Sequence, residues 1–240
     1  MTEGRKIAFV AAMEREVAPL VKSWIVMDRE FAGRKFKFFE NGNAVVVCGG
    51  IGAENARRAT EAAIQLYRPA KIVSVGVAGA LDSQLKIGDI FTPRWVVDVR
   101  DSSRMDTEKG SGILVSFSGI AGVEQKKKLG QSYGAQAVDM EAAAVGKGAQ
   151  VRGVSFMALK AISDGNSFAM PQMERFVSMD GKFKTANFVF YASIRPWLWF
   201  RVIQLGRNTA RAVRSLCMEM ARQIEAESQV EHSARQTVSL

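Results

Sequence analysis

The sequence predicts an α/β protein, a three-layer α/β/α sandwich around a mixed central sheet. Three observations carry that expectation. Short apolar runs rich in β-branched residues alternate with longer, Ala-rich stretches of helical spacing. Several of the runs are apolar on both faces, as strands covered from two sides are. A chain of 240 residues, 48% hydrophobic, can bury one sizeable core, and no Pro-, Ser- or Gly-rich linker divides it. One domain is expected over residues 1–226, with an aromatic-rich segment at 166–205 and a disordered polar tail at 227–240.

Taken in order, a first strand from Ile7 to Ala11 runs into Ala12-Met13-Glu14-Arg15-Glu16, with a helix beginning near Glu14. A second, from Ala44 to Cys48, runs into Gly49-Gly50-Ile51-Gly52 and a helix from Ala53. The third, from Ile72 to Val77, leads into Ala78-Gly79-Ala80. Strands follow from Asp89 to Val97 and from Ile113 to Phe117, then a helix from about Gly122. A strand from Ala137 ends in Asp139-Met140-Glu141, where the next helix starts, and the apolar run from Phe156 to Ile162 ends in Ser163-Asp164-Gly165. A last helix opens at Pro196. Ligands of open α/β sheets gather at the carboxyl ends of the strands, and here five such ends carry small residues or carboxylates, the pattern of a site.

Composition removes several chemistries. Two cysteines, Cys48 and Cys217, make neither a disulfide framework nor a Cys-based metal site. The single histidine, His232, falls in the expected tail, which argues against Ser-His-Asp, Cys-His and His-zinc chemistry. Proton transfer is left to carboxylates. The glycines at 49–52 match neither the phosphate loop nor the dinucleotide fingerprint, so neither a nucleoside triphosphate nor NAD is expected. Neither a metal nor an organic cofactor is implied. The opening residues lack the apolar stretch of a secretory signal, and the expected location is the cytoplasm.

A single acid at a helix start is unremarkable, because Glu14, Glu16 or Glu141 would each sit well near a helix dipole. Two acids flanking Met140 at the end of a buried-looking strand, and Asp164 directly after an apolar run, are harder to assign to structure alone.

Together these residues resemble the purine nucleoside phosphorylase and nucleosidase superfamily, most nearly its 5′-methylthioadenosine/S-adenosylhomocysteine nucleosidases. The resemblance spans roughly residues 6–165. It rests on Ala11-Ala12-Met13-Glu14-Arg15-Glu16-Val17, Gly49-Gly50-Ile51-Gly52, Val138-Asp139-Met140-Glu141-Ala142-Ala143-Ala144 and Lys160-Ala161-Ile162-Ser163-Asp164. A fifth segment, Val75-Gly76-Val77-Ala78-Gly79-Ala80-Leu81, matches with substitutions. The resemblance implies N-glycosidic cleavage through a ribosyl cation-like transition state in a protein that is commonly dimeric. Glu16 would activate the water. Asp164 would hydrogen-bond the purine and support protonation at N7, with an Asp favouring adenine over a 6-oxopurine, and Ser163 would position it. Glu141 and the backbone of Met140 would hold the ribose hydroxyls, and Val77, Ala78 and Gly79 would complete the substrate site.

Departures from the family pattern bear on substrate. Val77 replaces the small hydroxyl residue that helps phosphorylases bind phosphate, which weakens phosphorolysis but leaves Arg57, Arg58 or a neighbouring subunit's arginine as anion partners. The connection from Phe117 to Val138 is short, in the region that usually supplies an aromatic for adenine; Phe117 is the candidate, Ile120 the alternative. This short connection and Val138-Asp139-Met140-Glu141 also look similar to nucleosidases of hopanoid synthesis, which remove adenine from adenosylhopane.

Charge and the C-terminal third point the same way. The net charge is +9, and residues 195–222 hold six arginines (Arg195, Arg201, Arg207, Arg211, Arg214 and Arg222) against Glu219. Phe168 to Leu205 is dense in aromatics and Met: Phe168, Met170, Met173, Phe176, Met179, Phe183, Phe188, Phe190, Tyr191, Trp197, Trp199 and Phe200. Part of the final helix must be core, since Leu198, Val202, Leu205, Thr209, Ala212, Leu216, Met220 and Ile224 recur at three- and four-residue steps. The remainder forms either a subunit contact or, with its arginines, a basic aromatic surface for an anionic bilayer. The expected substrate is a 5′-substituted adenosyl nucleoside, lipid-tailed in the hopanoid reading and methylthioadenosine or S-adenosylhomocysteine in the other. Nucleic acid is excluded as a partner, because a carboxylate-lined cleft repels phosphate.

Overall fold

A computed structural model describes residues 6–169, 174–176, 178 and 181–238. Met170, Met173 and Met179 of the aromatic and Met-rich segment lie outside them. Strand β1 (Ile7–Ala11) is buried throughout and leads into a 3-10 turn at Glu14–Glu16 and a single helical turn α1 (Ala18–Val21). Pro19 in the first turn of α1 suits a helix start. The hairpin β2 (Ile25–Phe31) and β3 (Arg34–Asn41) closes through Ala32 and Gly33 and hands over to β4 (Ala44–Cys48).

Helix α2 (Ala53–Tyr67) then leads to the long central strand β5 (Lys71–Ala80). Where the sequence suggests one strand from Asp89 to Val97, there are two: β6 (Ile90–Phe91) and β7 (Trp95–Asp98). Pro93 lies between them and has no N–H to continue a ladder. After β8 (Arg104–Asp106) and β9 (Ile113–Ser116) come α3 (Val123–Tyr133), β10 (Ala137–Asp139), α4 (Ala142–Val151) and β11 (Ser155–Asp164). The chain ends in α5 (Thr185–Ser193) and α6 (Pro196–Val238).

Among the described residues eleven strands form one mixed sheet in the order β2-β3-β4-β1-β5-β10-β9-β7-β8, with β11 paired to β5 and β6. Alternation along each strand sends side chains to opposite faces, and two cores result. Ala8, Val10, Val45 and Val47 pack with the Ala-rich faces of α2 and α4, while Ile7, Phe9, Val46, Val73, Leu159 and Ala161 pack beneath α6 through Ala212, Leu216 and Met220. The α/β sandwich predicted from the sequence is thus present.

Helix α6 is longer than expected. Its 43 residues give a rod on the order of 65 Å, and residues 227–238, expected to be a disordered tail, are helical. Beyond Gly206 no Gly or Pro interrupts a sequence rich in Ala, Glu, Gln and Arg. Glu227 pairs with Lys71 at the start of β5, which holds the helix to the sheet at the point where the tail was expected to leave it. No helix among the described residues is long and apolar enough to cross a membrane.

The feature that positions the site is β5. Strand β11 runs along one edge of it from Lys71 to Gly79. On the other edge β1 pairs with Lys71 to Ser74 in parallel, and β10 pairs with Gly79 and Ala80 in antiparallel fashion. The stretch between, Val75 to Ala78, is left open where β1 and β10 approach from opposite directions.

Candidate active site

At that opening lies a cavity of about 180 Å³, room for about six waters and so for a small organic molecule rather than a lone ion. Its wall includes Val77, Ala78 and Gly79 of β5, Glu16 after β1, Met140 and Glu141 after β10, and Ser163 and Asp164 at the end of β11. Ile120 also lines it. Nine of the ten residues the sequence singles out therefore converge on one cavity. The exception is Phe117, which packs with the cluster of Val97, Val115, Leu129 and Val138 behind the site. Its amide bonds Asp139 O at 2.8 Å, continuing the ladder between β9 and β10, and this orientation leaves the cavity to Ile120 three residues later.

Glu16 is carried by the 3-10 turn and is almost fully buried. Its Oε2 accepts from the Met13 amide at 3.2 Å. Burial pushes its carboxyl above the usual range, an effect opposed by the Met13 N–H and by the charges of Lys160 and Arg15. The backbone of β5 passes directly beneath: at Gly76, with φ at +146°, a Cβ would stand 3.3 Å from Glu16 Oε2. Glycine is required there both by the dihedral and by the close approach.

Glu141 Oε1 accepts from the Gly52 amide at 2.8 Å, so the glycine turn after β4 serves this carboxylate with the amide of the residue that caps α2. Burial, with the nearby charge of Asp139, raises Glu141 to about 7 against the lowering effect of Lys160 and the Gly52 N–H. Asp139, its neighbour two residues back, is committed to the fold: it accepts from Ser116 Oγ at 2.6 Å and from the Ala142 amide at 2.9 Å, and pairs with buried Lys160 at 2.9 Å.

Asp164 stands at a register break in β11, a bulge between Ile162 and Asp164 that re-aims the chain. Its Oδ1 accepts from Ser163 Oγ at 2.7 Å, and its Oδ2 accepts from the ammonium of Lys126, which also donates to Gly165 O at 2.7 Å. Lys126 is a site residue that sequence reasoning misses. It sits in the run Lys126-Lys127-Lys128, which looks like a solvated face, yet helical spacing aligns it with buried Leu129. That three-residue step was the available signal.

The outer wall is apolar and comes from outside the sheet. Phe183 and, from α6, Leu205 and Thr209 line it together with Met13 and Ile51. Arg15 lies over the Phe183 ring at 5.3 Å. Arg57 and Arg58, the expected anion partners, instead bind Glu54 on the exposed face of α2, with Glu61 also bonded to Arg57, and do not line the cavity. Among the described residues no cluster of His, Cys, Asp and Glu could hold a metal ion.

A family model described as the phosphorylase superfamily matches residues 6–122 and 110–184. The chain belongs to the phosphorylase superfamily. Among relatives of this superfamily member, a 5′-methylthioadenosine/S-adenosylhomocysteine nucleosidase of Staphylococcus aureus is 28% identical over 211 residues, covering 71% of this chain and 92% of its own. Solved structures agree on the phosphorylase-superfamily fold. The Helicobacter pylori 5′-methylthioadenosine/S-adenosylhomocysteine nucleosidase with butyl-thio-DADMe-Immucillin-A superposes with a TM-score of 0.69 at 18% identity, over 93% of this chain and 99% of the other. The native futalosine hydrolase of the same organism gives 0.58 at 22% identity, over 69% and 89%.

Proposed function

We propose that this protein is a nucleosidase that hydrolyses the N-glycosidic bond of a 5′-substituted adenosine and releases adenine. The observation that carries the reading is the convergence of Glu16, Glu141 and Asp164, from three separate strand ends, on one cavity whose wall also holds Arg15 and Lys126 but is otherwise largely apolar. Such a bond breaks through a ribosyl cation-like state. A water must be deprotonated, the sugar cation stabilised and the leaving purine protonated. Glu16, whose carboxyl burial raises above the usual range, suits the base that takes a proton from the attacking water. Glu141 faces the ribose hydroxyls with Met140, and Asp164, held by Ser163, faces the purine. Ile120 packs against the base in the place first assigned to Phe117. The relatives named as nucleosidases support this assignment, and Val77, without a hydroxyl, together with the distant Arg57 and Arg58, favours water over phosphate as the acceptor.

The 5′ group is an apolar one in this reading. Phe183, Leu205 and Met13 give the cavity a greasy outer wall, and the amino-terminal part of α6 exposes Trp197, Trp199, Phe200 and Ile203 beside Arg201 and Arg207. A basic surface with interfacial aromatics suits an anionic bilayer, and a lipid-tailed nucleoside such as adenosylhopane would be met there by a cytoplasmic protein in peripheral contact. The protein works as a homodimer in this reading, as the family resemblance implies. The deciding experiment is adenine release from adenosylhopane, 5′-methylthioadenosine, S-adenosylhomocysteine and adenosine, each with and without phosphate, beside Asp164→Asn. Phosphate-independent release from adenosylhopane, lost in the variant, is the expected result. Preference for the soluble thioadenosines would remove the lipid reading, and release only with phosphate would make the enzyme a phosphorylase.

A further inference from the structure

Among the described residues two lysines, Lys126 and Lys160, are buried, and they are placed differently. Lys160 lies within the sheet, 2.9 Å from Asp139 and 3.1 Å from Ser74 Oγ, and braces a carboxylate already bound to Ser116 and Ala142. Lys126 is equally inaccessible, but it forms part of the cavity wall and its ammonium is bonded to Asp164, the carboxylate assigned to the purine. The backbone makes room for this pair. At Gly79 a Cβ would come within 3.0 Å of Asp164 Oδ2 and 3.1 Å of Lys126 Cε, so a side chain there would push the ammonium and carboxylate apart. Burying an ammonium is costly unless its partners are close and well aimed, and fold stability alone does not call for one in a cavity wall.

As an ion pair, Lys126 and Asp164 carry their shared proton on nitrogen. An ionised Asp164 accepts hydrogen bonds but has no proton to give, while departure of a neutral purine requires one. We infer that Lys126 is the proton source for the leaving base, acting through Asp164; the inference rests on the nucleosidase reading. As the water oxygen bonds to C1′, Glu16 takes its proton, the C1′–N9 bond breaks and its electron pair passes into the purine. The Lys126 ammonium passes its proton to Asp164 Oδ2, and the carboxylic acid so formed hands a proton on to N7 and is left ionised again. The step ends with protonated Glu16, neutral Lys126 and neutral purine, and exchange with solvent returns one proton to the lysine and removes one from the glutamic acid. Lys126 is thus a positioning and proton-supplying residue that does not itself need to touch the substrate.

The test compares two leaving groups on the full-length protein. Lys126→Met is assayed on the adenosyl substrate that the intact enzyme cleaves and on the matching 4-nitrophenyl riboside, whose phenolate departs without a proton. The expected result is a fall in kcat for adenine release of about 10²- to 10³-fold, with KM and nitrophenol release both within about threefold. Lys126→Cys alkylated with 2-bromoethylamine rebuilds an ammonium of the same length and should regain adenine release, with identically treated intact enzyme controlling for Cys48 and Cys217. Equal losses on both substrates, or adenine release within about threefold of the intact enzyme, would overturn the inference. An intact enzyme that frees no purine from any nucleoside would instead overturn the nucleosidase reading on which it stands.

Discussion

Replacing Glu141 with Gln should make the protein more stable at alkaline pH while removing the carboxylate proposed to hold the ribose. Its carboxyl is raised from 4.5 to about 7 by burial and by Asp139. The folded state therefore binds the proton more tightly than the unfolded chain does. The stability linked to that proton is fully present below about pH 4.5 and is lost as pH rises through about 7. At about 1.4 kcal/mol per pH unit, the whole interval corresponds to about 3 kcal/mol, and the part lost between pH 5 and pH 8 is on the order of 2 kcal/mol. Gln does not titrate, so Glu141→Gln should escape this loss. Its amide can still accept from Gly52, but its NH₂ would face the Met140 amide, which now lies 3.3 Å from Oε2. The variant should consequently be somewhat less stable than the parent at pH 5. Urea denaturation of both proteins at pH 5 and pH 8 supplies the comparison, and the quantity that matters is the change in their difference. A stability difference that stays constant across the two pH values would refute the argument that Glu141 is buried at a net electrostatic cost.

Lys160→Met should destabilise the protein by about 3–5 kcal/mol, because it leaves Asp139 ionised and buried with only neutral donors; chemical denaturation measures this directly. Ile120→Ala should raise KM for the nucleoside with little change in the denaturation midpoint, whereas Phe117→Ala should lower the midpoint through a cavity cost of about 3–5 kcal/mol at most and leave KM alone. Trp197→Ser with Phe200→Ser should abolish sedimentation with anionic lipid vesicles at unchanged stability, since both side chains are largely exposed. Retained sedimentation would argue that the aromatic face of α6 belongs to another contact.

The parts of this molecule that the sequence makes legible are those whose signal is local. Strands β1, β4, β5 and β11 are apolar on both faces and read directly as covered strands, and Glu16, Glu141 and Asp164 stand within a few residues of the ends of β1, β10 and β11. The β2–β3 hairpin escapes such a reading because β2 exposes both faces and carries Asp28, Arg29 and Glu30. Its pairing is fixed by β3, whose Phe36 and Phe38 are buried. Lys126 is invisible for a different reason. A lysine looks solvated in any sequence, and only the fold brings a carboxylate 38 residues away to meet it. The choice between Phe117 and Ile120 likewise turns on where the chain leaves β9, a backbone detail that side-chain chemistry does not encode.

The three carboxylates all reach the cavity from strands in register with β5, so their spacing is a property of the sheet. Phe183, Leu205 and Thr209 arrive from segments laid over it. The carboxylate frame and the wall that covers it are in this sense separate inheritances. A lineage, or an engineer, could recast the outer wall for a different 5′ group by changing a few side chains of α6 and the segment before it. The bond-breaking frame would be carried along unaltered.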